Sequence, residues 1–316
     1  MKKFVFGIII PVLVGVFLIL GAAEMYLRSL PNDFKSKAAY MKQHGREIKI
    51  LVLGSSGSSM GIKPSCFDMQ PSYNCAYANQ SIYYNYLILN KYISDADSLK
   101  YVIMDAQYPG LWWLMEDYAA TWIKKYVIYY GLEGFKNIND HLEISANLND
   151  IIDRLRHVSD KAACTTCDED GFQSKYFIEI PYNEQRWKEF GKFHCEEHTN
   201  YNRERGDVIL RDNVELLKKM ILMCKERGVD VVFVSTPCHP YYYNWFNTEQ
   251  QKVWFQIYDD LSKEYDNVKW FDFTKSVEFS HEDMSNICHL NTKGAIKFTR
   301  MLNDTINDFK NKLEKQ

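Results

Sequence analysis

The chain has 316 residues, of which 46% are hydrophobic, 25% charged and 15% aromatic. This composition excludes an intrinsically disordered protein. The length is enough for one sizeable α/β domain with insertions or for two small domains, and we favour one domain plus an anchor. The formal net charge is −3 and no long basic run occurs, so the sequence gives no support for nucleic-acid binding.

The N-terminus predicts a membrane segment. Lys2 and Lys3 precede the uncharged stretch 4–23, and a helix of that length spans about 30 Å, the thickness of a bilayer hydrocarbon core. The rival interpretation is a signal peptide cleaved near residues 21–23, although such peptides usually have an apolar core of only about 7–15 residues. We therefore expect residues 1–31 to be an uncleaved anchor, with the lysines inside and the remainder of the chain outside the cytoplasm.

Beyond the anchor, residues 32–316 alternate between helical patterns and apolar runs. The run at 48–53 is apolar throughout, as expected of a strand covered on both faces. Alternation of strands and helices implies right-handed crossovers and a three-layer α/β/α domain with a mostly parallel sheet. We predict helices over 32–44, 81–92, 208–225, 248–265 and 293–313, and strands over 48–53, 73–76, 101–104, 229–235 and 268–273.

A stretch at about 110–200 interrupts this alternation. It is rich in aromatic residues and locally helical, so we interpret it as an insertion or lid and not as a second sheet domain. Trp112 and Trp113 are expected to pack within it, although stacking on sugar rings is an alternative.

Ligands of a parallel sheet gather at the carboxyl ends of its strands. Gly54-Ser55-Ser56 follows the first strand and Gln107 follows the third. A serine hydroxyl becomes a nucleophile when a histidine takes its proton, and His289 lies just before the last helix. Taken alone, these residues could equally belong to an ordinary loop and a helix cap.

The eight cysteines allow two interpretations. Outside the cytoplasm an even number suggests disulfides, with Cys66 and Cys75 as the first candidates. The alternative is a zinc site, less favoured because it rests on a single C-x-x-C, built from Cys164, Cys167, His194, Cys195 and His198.

Three segments resemble the sequence blocks of the SGNH/GDSL hydrolase superfamily. Val52-Leu-Gly-Ser-Ser56, followed by Gly61-Ile62, resembles the first block, and residues 73–81 resemble the second. His289-Leu-Asn-Thr-Lys-Gly-Ala295 resembles the last block. The likeness is greatest to a membrane-anchored branch in which Gly-Ser-Ser replaces Gly-Asp-Ser. It implies a flavodoxin-like fold, with Ser56 as nucleophile and His289 as base.

The sequence also departs from the family pattern. The family has Asp three residues before its histidine, where this chain has Asn286. Either Asn286 orients His289, or Asp283 or Glu282 substitutes for the missing carboxylate, or Ser56 and His289 act as a dyad.

The resemblance leaves the oxyanion and substrate contacts more open. Asn79 is the best candidate for the oxyanion donor and Gln107 a weaker one, and both could equally be cap or loop residues. His239 and the tyrosines that follow could line a substrate cleft or pack in a rigid turn.

The function implied by the resemblance is that of a serine esterase or O-acyltransferase. It would be a single-pass protein of a bacterial membrane, and its extracytoplasmic domain would act on acyl groups of a cell-surface polysaccharide or related polymer. An acylated carbohydrate and a membrane protein of an acyl-transfer system are the expected partners, and no cofactor, metal or nucleic acid is expected. The alternative is a catalytically inactive scaffold of the same fold for polysaccharide binding or assembly.

Overall fold

The computed structural model describes residues 5–115, 120–132, 141–145, 152, 165–175, 179–200 and 204–313. Close contacts group the chain into two units, Met1–Ala39 with Ala119–Thr165, and Tyr40–Tyr118 with Thr166–Gln316. The expected boundary after residue 31 and the expected insertion at about 110–200 remain predictions.

The helices and strands of the described residues follow one another in the order below. The helices are α1 (Ile10–Ser29), α2 (Asp33–His44), α3 (Ser56–Gly61), α4 (Ile82–Tyr92), α5 (Ala120–Lys125), α6 (Glu184–Thr199), α7 (Gly206–Glu226), α8 (Pro240–Tyr243), α9 (Thr248–Glu264) and α10 (Thr292–Leu313). The strands are β1 (Ile50–Leu53), β2 (Ser72–Asn74), β3 (Tyr101–Asp105), β4 (Asp230–Ser235), β5 (Val268–Asp272), β6 (Met284–Asn286) and β7 (His289–Leu290).

The first unit contains the apolar N-terminal helix. Phe6–Ser29 has 24 residues, and the most apolar 18-residue stretch within it has a mean hydropathy of 2.7, which are the length and composition of a membrane span or of a signal sequence. Towards its end, Glu24 accepts hydrogen bonds from the backbone N–H groups of Glu143 and Ile144, at 3.0 and 2.9 Å. Arg28 pairs with the same carboxylate at 2.6 Å, so these charged groups are satisfied within the unit.

The second unit is built on a five-stranded sheet in the order β2-β1-β3-β4-β5, with every neighbouring pair parallel. This is the flavodoxin-like order, whose switch point lies between β1 and β3. Side chains alternate between the two faces. Val232 packs in one core cluster with Phe298 of α10, whereas Phe233 meets Tyr258 of α9, with ring centroids 5.1 Å apart. Helices thus cover both faces, and the predicted α/β fold with a parallel sheet is confirmed.

A small antiparallel hairpin, β6–β7, was not predicted from the sequence. Its register sets Asn286 opposite His289. Both strands are very short, and such short strands leave no usable hydrophobic period. The hairpin therefore fixes the residues before His289 in a way that sequence spacing alone did not indicate.

Helix α6 lies in the segment that we interpreted as an insertion, and its inner face belongs to the main core. Trp187 is 1% exposed and donates its indole N–H to the carbonyl of Ile180 at 3.1 Å. Cys195 is fully buried in the same cluster, beside Cys238 and Tyr242. One side of α6 is therefore anchored to the sheet domain.

The structure bears on both interpretations of the cysteines, the disulfide and the zinc site. No disulfide joins Cys66 to Cys75, so the suggested pairing is wrong. Cys75 is buried directly after β2, whereas Cys66 ends a short, partly exposed 3₁₀ turn. Cys164 of the alternative zinc site lies outside the described residues. Among those that are described, no group of three or more His, Cys, Asp or Glu side chains is arranged to hold a metal ion.

Candidate active site

The turn after β1 presents Ser56 at the first position of α3. Gly54 has φ +142°, and a Cβ at this position would lie 2.4 Å from Cβ of Asp105, so only glycine fits. Ser55 donates its backbone N–H to Oδ2 of Asp105 at 3.1 Å, and its hydroxyl donates to the same oxygen. The end of β3 thereby anchors the turn immediately before Ser56.

Ser56 and His289 are in direct contact. Ser56 Oγ lies 2.8 Å from Nε2 of His289, although the two residues are 233 positions apart in the chain. The fold therefore brings together the two sequence segments that contain Ser56 and His289. A hydroxyl and an imidazole in this arrangement are able to act as nucleophile and base in acyl transfer.

Asn286 occupies the other side of the imidazole. Its Oδ1 lies 3.0 Å from Nδ1 of His289 and accepts the backbone N–H of Cys288 at 3.1 Å. A backbone N–H can only donate, so this bond identifies the amide oxygen. Nδ1 must then carry the proton, which leaves Nε2 of His289 as the acceptor for the hydroxyl of Ser56.

The imidazole of His289 is held in its neutral form. Burial, followed by the charge of His194, lowers its pKa to about 3. A base must be unprotonated before it can act, and at neutral pH this one is.

Asp283 is not the partner of His289. It ends the 3₁₀ turn His281–Asp283 just before β6, where its Oδ2 accepts the backbone N–H of Ser280 at 3.2 Å in a capping box. Lys293 and Lys297 of α10 lie 3.7 and 3.4 Å from its carboxylate. The suggestion that Asp283 replaces the missing aspartate is therefore wrong, because the hairpin register brings Asn286 to the imidazole.

A cavity of about 220 Å³ opens beside Ser56. It brings together side chains from the strand ends, from the hairpin and from α6. None of the described residues that line it is lysine or arginine. They are Ser55, Ser56, Asn79, Gln80, Ile82, Asn85, Asp105, Gln107, Pro109, Gly110, Trp113, Phe190, His194, His198, Asn286, Cys288 and His289.

Both oxyanion candidates line this cavity. Asn79 has a left-handed backbone, φ +59°, and its carbonyl accepts the indole N–H of Trp113 at 2.9 Å. Gln107 donates its side-chain amide to the hydroxyl of Thr236. That amide lies so close to Gly57 that a Cβ there would be 2.1 Å from Nε2. One N–H of the Gln107 amide is thus used within the protein, whereas the side chain of Asn79 is exposed.

His239 is not among the residues that line the cavity. It is the N-cap of α8, where Nδ1 accepts the backbone N–H of Tyr241 at 3.3 Å. Its ring meets Trp187 edge to face, with centroids 5.2 Å apart. His239 therefore caps α8 and packs against Trp187, in place of the suggested role in a substrate cleft.

The sequence did not assign His194, His198 or Cys288 to the site, and it indicated Asp105 only by its position at the end of the third predicted strand. His194 and His198 of α6 line the cavity with ring centroids 4.0 Å apart, and their i, i+4 spacing was the available signal. Burial, followed by the charges of His194 and His289, holds the pKa of His198 well below its usual value. Burial raises the pKa of Asp105 to about 6. Cys288 places its sulfur 3.4 Å from Nδ1 of His289.

Comparisons with known proteins add a likeness to solved structures. One protein-family model matches residues 143–311, which is more than half of the chain, and this model has no functional description. The chain therefore belongs to the family that this model describes. No curated protein matches the chain. It is similar to a proposed acylhydrolase of Bacteroides fragilis (10% identity, covering 92% of this chain and 96% of that one, TM-score 0.38). A GDSL-like lipase of Bacteroides thetaiotaomicron (9%, 87% and 99%, 0.39) and a proposed platelet activating factor of Streptococcus pneumoniae (11%, 91% and 98%, 0.40) are similar to the same degree. Likeness at this level carries no argument about activity, which must come from the site.

Proposed function

We propose that this protein is a serine esterase or O-acyltransferase of the SGNH/GDSL superfamily that works through an acyl-serine intermediate. The observation that carries the proposal is the series Ser56, His289 and Asn286, joined by hydrogen bonds of 2.8 and 3.0 Å. Serine becomes a nucleophile when a neutral base of fixed tautomer lies within reach of its proton. The segments that resemble the superfamily supply both Ser56 and His289.

The reaction would proceed in two halves. Oγ of Ser56 attacks the ester carbonyl carbon while its proton passes to Nε2 of His289, and the imidazolium then protonates the departing alcohol. Water or a second hydroxyl, deprotonated by the same imidazole, attacks the acyl-serine and restores Ser56. The side chain of Asn79 and the first backbone N–H groups of α3, which have no acceptor within the helix, are the donors available to the oxyanion.

The cavity lining supports a neutral, hydroxyl-rich substrate. Amide and imidazole side chains exchange hydrogen bonds with hydroxyls, and the indole of Trp113 adds apolar surface to the lining. The described lining has no lysine or arginine to pair with an anion, and Asp105 would repel one. An acyl ester on a neutral sugar fits this lining better than an ester beside a phosphate or a carboxylate.

The N-terminal helix supports an extracytoplasmic location for this chemistry. If Phe6–Ser29 spans a bacterial membrane with Lys2 and Lys3 inside, the site lies outside the cytoplasm. The substrate would then be an acylated cell-surface polysaccharide or related polymer, and the partner would be a membrane protein of an acyl-transfer system.

One observation favours a second candidate, a catalytically inactive scaffold that binds or assembles polysaccharide. Asn286 cannot supply the negative charge that stabilises an imidazolium. A protein that keeps the fold for binding alone would tolerate this residue.

Labelling with a fluorophosphonate distinguishes the two candidates. The full-length protein, in detergent, is expected to be labelled, the Ser56→Ala variant is not, and Ser59→Ala of the same helix keeps the label. A folded wild type that resists the probe would contradict the esterase and support the scaffold. Acetylated neutral and anionic sugars, compared as substrates, then test the preference that the lining predicts.

A further inference from the structure

A thiol that the proposed mechanism leaves unused lies against the base. Sγ of Cys288 is 3.4 Å from Nδ1 of His289 and 3.6 Å from Oδ1 of Asn286. The residue is 3% exposed and lines the cavity. Burial, followed by Cys195, raises the pKa of the thiol, so it stays protonated at neutral pH.

The donors and acceptors around this thiol can be assigned. Oδ1 of Asn286 accepts the backbone N–H of Cys288, so Nδ1 of His289 is a donor and not an acceptor. The thiol proton therefore cannot point at Nδ1. It points at the amide oxygen of Asn286, and the sulfur turns its lone pairs towards the Nδ1–H.

We propose that Cys288 is a positioning residue of this active site: its sulfur and the amide oxygen of Asn286 together hold the Nδ1–H of His289, which reserves Nε2 for the proton of Ser56. The role rests on the proposed esterase function. Sulfur is soft and polarisable, so it also stabilises part of the charge that forms on the imidazole. In this chain two neutral groups share the task that a single carboxylate has in a Ser-His-Asp triad.

A matched control separates this role from simple packing. Cys224 of α7 is fully buried, and burial raises the pKa of its thiol to about 12. It is not among the residues that line the cavity. Cys224→Ala therefore removes a thiol of the same kind without touching the imidazole, whereas Cys288→Ser keeps an acceptor and a donor beside it.

Nitrogen NMR of the full-length protein, labelled with ¹⁵N-histidine and held in detergent, reads both the tautomer and the exchange of the Nδ1 proton with water. The His289 signals are identified by their loss in His289→Gln. All the Cys288 and Cys224 variants keep the backbone N–H that fixes the oxygen of Asn286, so they are expected to keep the Nδ1–H tautomer. Cys288→Ala removes the sulfur beside Nδ1, so its Nδ1 proton is expected to exchange with water faster than that of the wild type, Cys288→Ser or Cys224→Ala. With p-nitrophenyl acetate as substrate, Cys288→Ala is expected to lower kcat about 10-fold at unchanged KM, the low end of the effect of partners that orient metal-binding histidines.

The exchange of the Nδ1 proton decides the proposal whether or not the wild type turns over an ester. A wild-type exchange rate in Cys288→Ala would overturn it, and so would an equally faster exchange in Cys224→Ala. If the exchange rate responds as expected but no variant hydrolyses an ester, the positioning contact stands and the esterase function fails.

Discussion

Nδ1 of His289 lies 3.0 Å from the side-chain oxygen of Asn286, which the backbone N–H of Cys288 holds from the other side. An amide oxygen orients an imidazole as a carboxylate does, but it cannot neutralise the imidazolium that forms when Ser56 loses its proton. The site therefore combines a fixed tautomer with weak charge stabilisation, and a slow enzyme is expected.

Replacing Asn286 by aspartate tests this balance. We expect Asn286→Asp to raise kcat, since the new carboxylate stabilises the imidazolium at the same contact. Asn286→Ala is expected to lower kcat by about 10- to 100-fold, because it leaves the Nδ1–H without the amide acceptor. Steady-state kinetics on an activated ester measure both changes. A lower kcat in Asn286→Asp, in a variant that unfolds at the wild-type temperature, would contradict the interpretation.

The pH dependence of activity should reflect the buried imidazole. An ordinary histidine loses its base function below about pH 6.5, whereas burial and His194 lower the pKa of His289 to about 3. The neutral base is thus present throughout the range in which the protein can be assayed, and kcat/KM should stay level between about pH 5 and 8. The profile is measured in the wild type and in Asp105→Asn. The variant is included because Asp105 also lines the cavity and has a pKa of about 6. A fall near pH 6.5 in both proteins would show that the base is ordinary.

Asp105 should make stability fall as the pH rises. Burial raises its pKa to about 6 from 3.8, so the folded state holds the proton more tightly than the unfolded state. The stabilisation is complete below the lower value and is lost as the pH approaches the higher one. Asp105→Asn keeps an acceptor for Ser55, so its stability relative to the wild type should increase from pH 4 to pH 7, by up to about 3 kcal/mol.

Urea denaturation at the two pH values measures this difference. Asp308→Asn, an exposed aspartate of α10, serves as the matched control and should show no such change. If the difference in unfolding free energy between Asp105→Asn and the wild type were the same at both pH values, the pKa of Asp105 would not be raised.

The two oxyanion candidates can be ranked by mutation. The amide of Gln107 is bonded to Thr236, whereas the side chain of Asn79 is exposed in the same cavity. We expect Asn79→Ala to lower kcat by about 100-fold with little change in KM, the usual effect of losing one oxyanion donor. Gln107→Ala should have a smaller effect. If the two variants ranked in the opposite order, Gln107 would be the donor.

The sheet could be predicted because its strands are buried on both faces. The strand predicted at 101–104 is β3 (Tyr101–Asp105), and the one at 229–235 is β4 (Asp230–Ser235). An apolar run bounded by turn residues is a strong signal of this kind. The Ser56–His289 pair was predictable for a different reason, since both residues belong to segments that resemble known sequence blocks.

The third member of the site could not be chosen from the sequence. Asp283 and Asn286 both precede His289 closely, and the short hairpin that decides between them has no hydrophobic pattern to reveal it. Likewise, His194 and His198 share a face of α6, but nothing in their spacing indicates which face of the helix points into the cavity. These contacts depend on tertiary packing.

Trapping the acyl-enzyme tests the central claim most directly. The full-length protein is mixed with p-nitrophenyl acetate, quenched in acid within the first turnover, and analysed by intact mass and peptide mapping. The proposed function predicts one acetyl group, carried by Ser56 and absent from Ser56→Ala and from His289→Ala. A folded wild type that hydrolyses the ester with no acetyl group on Ser56, or with the group on another residue, would contradict it.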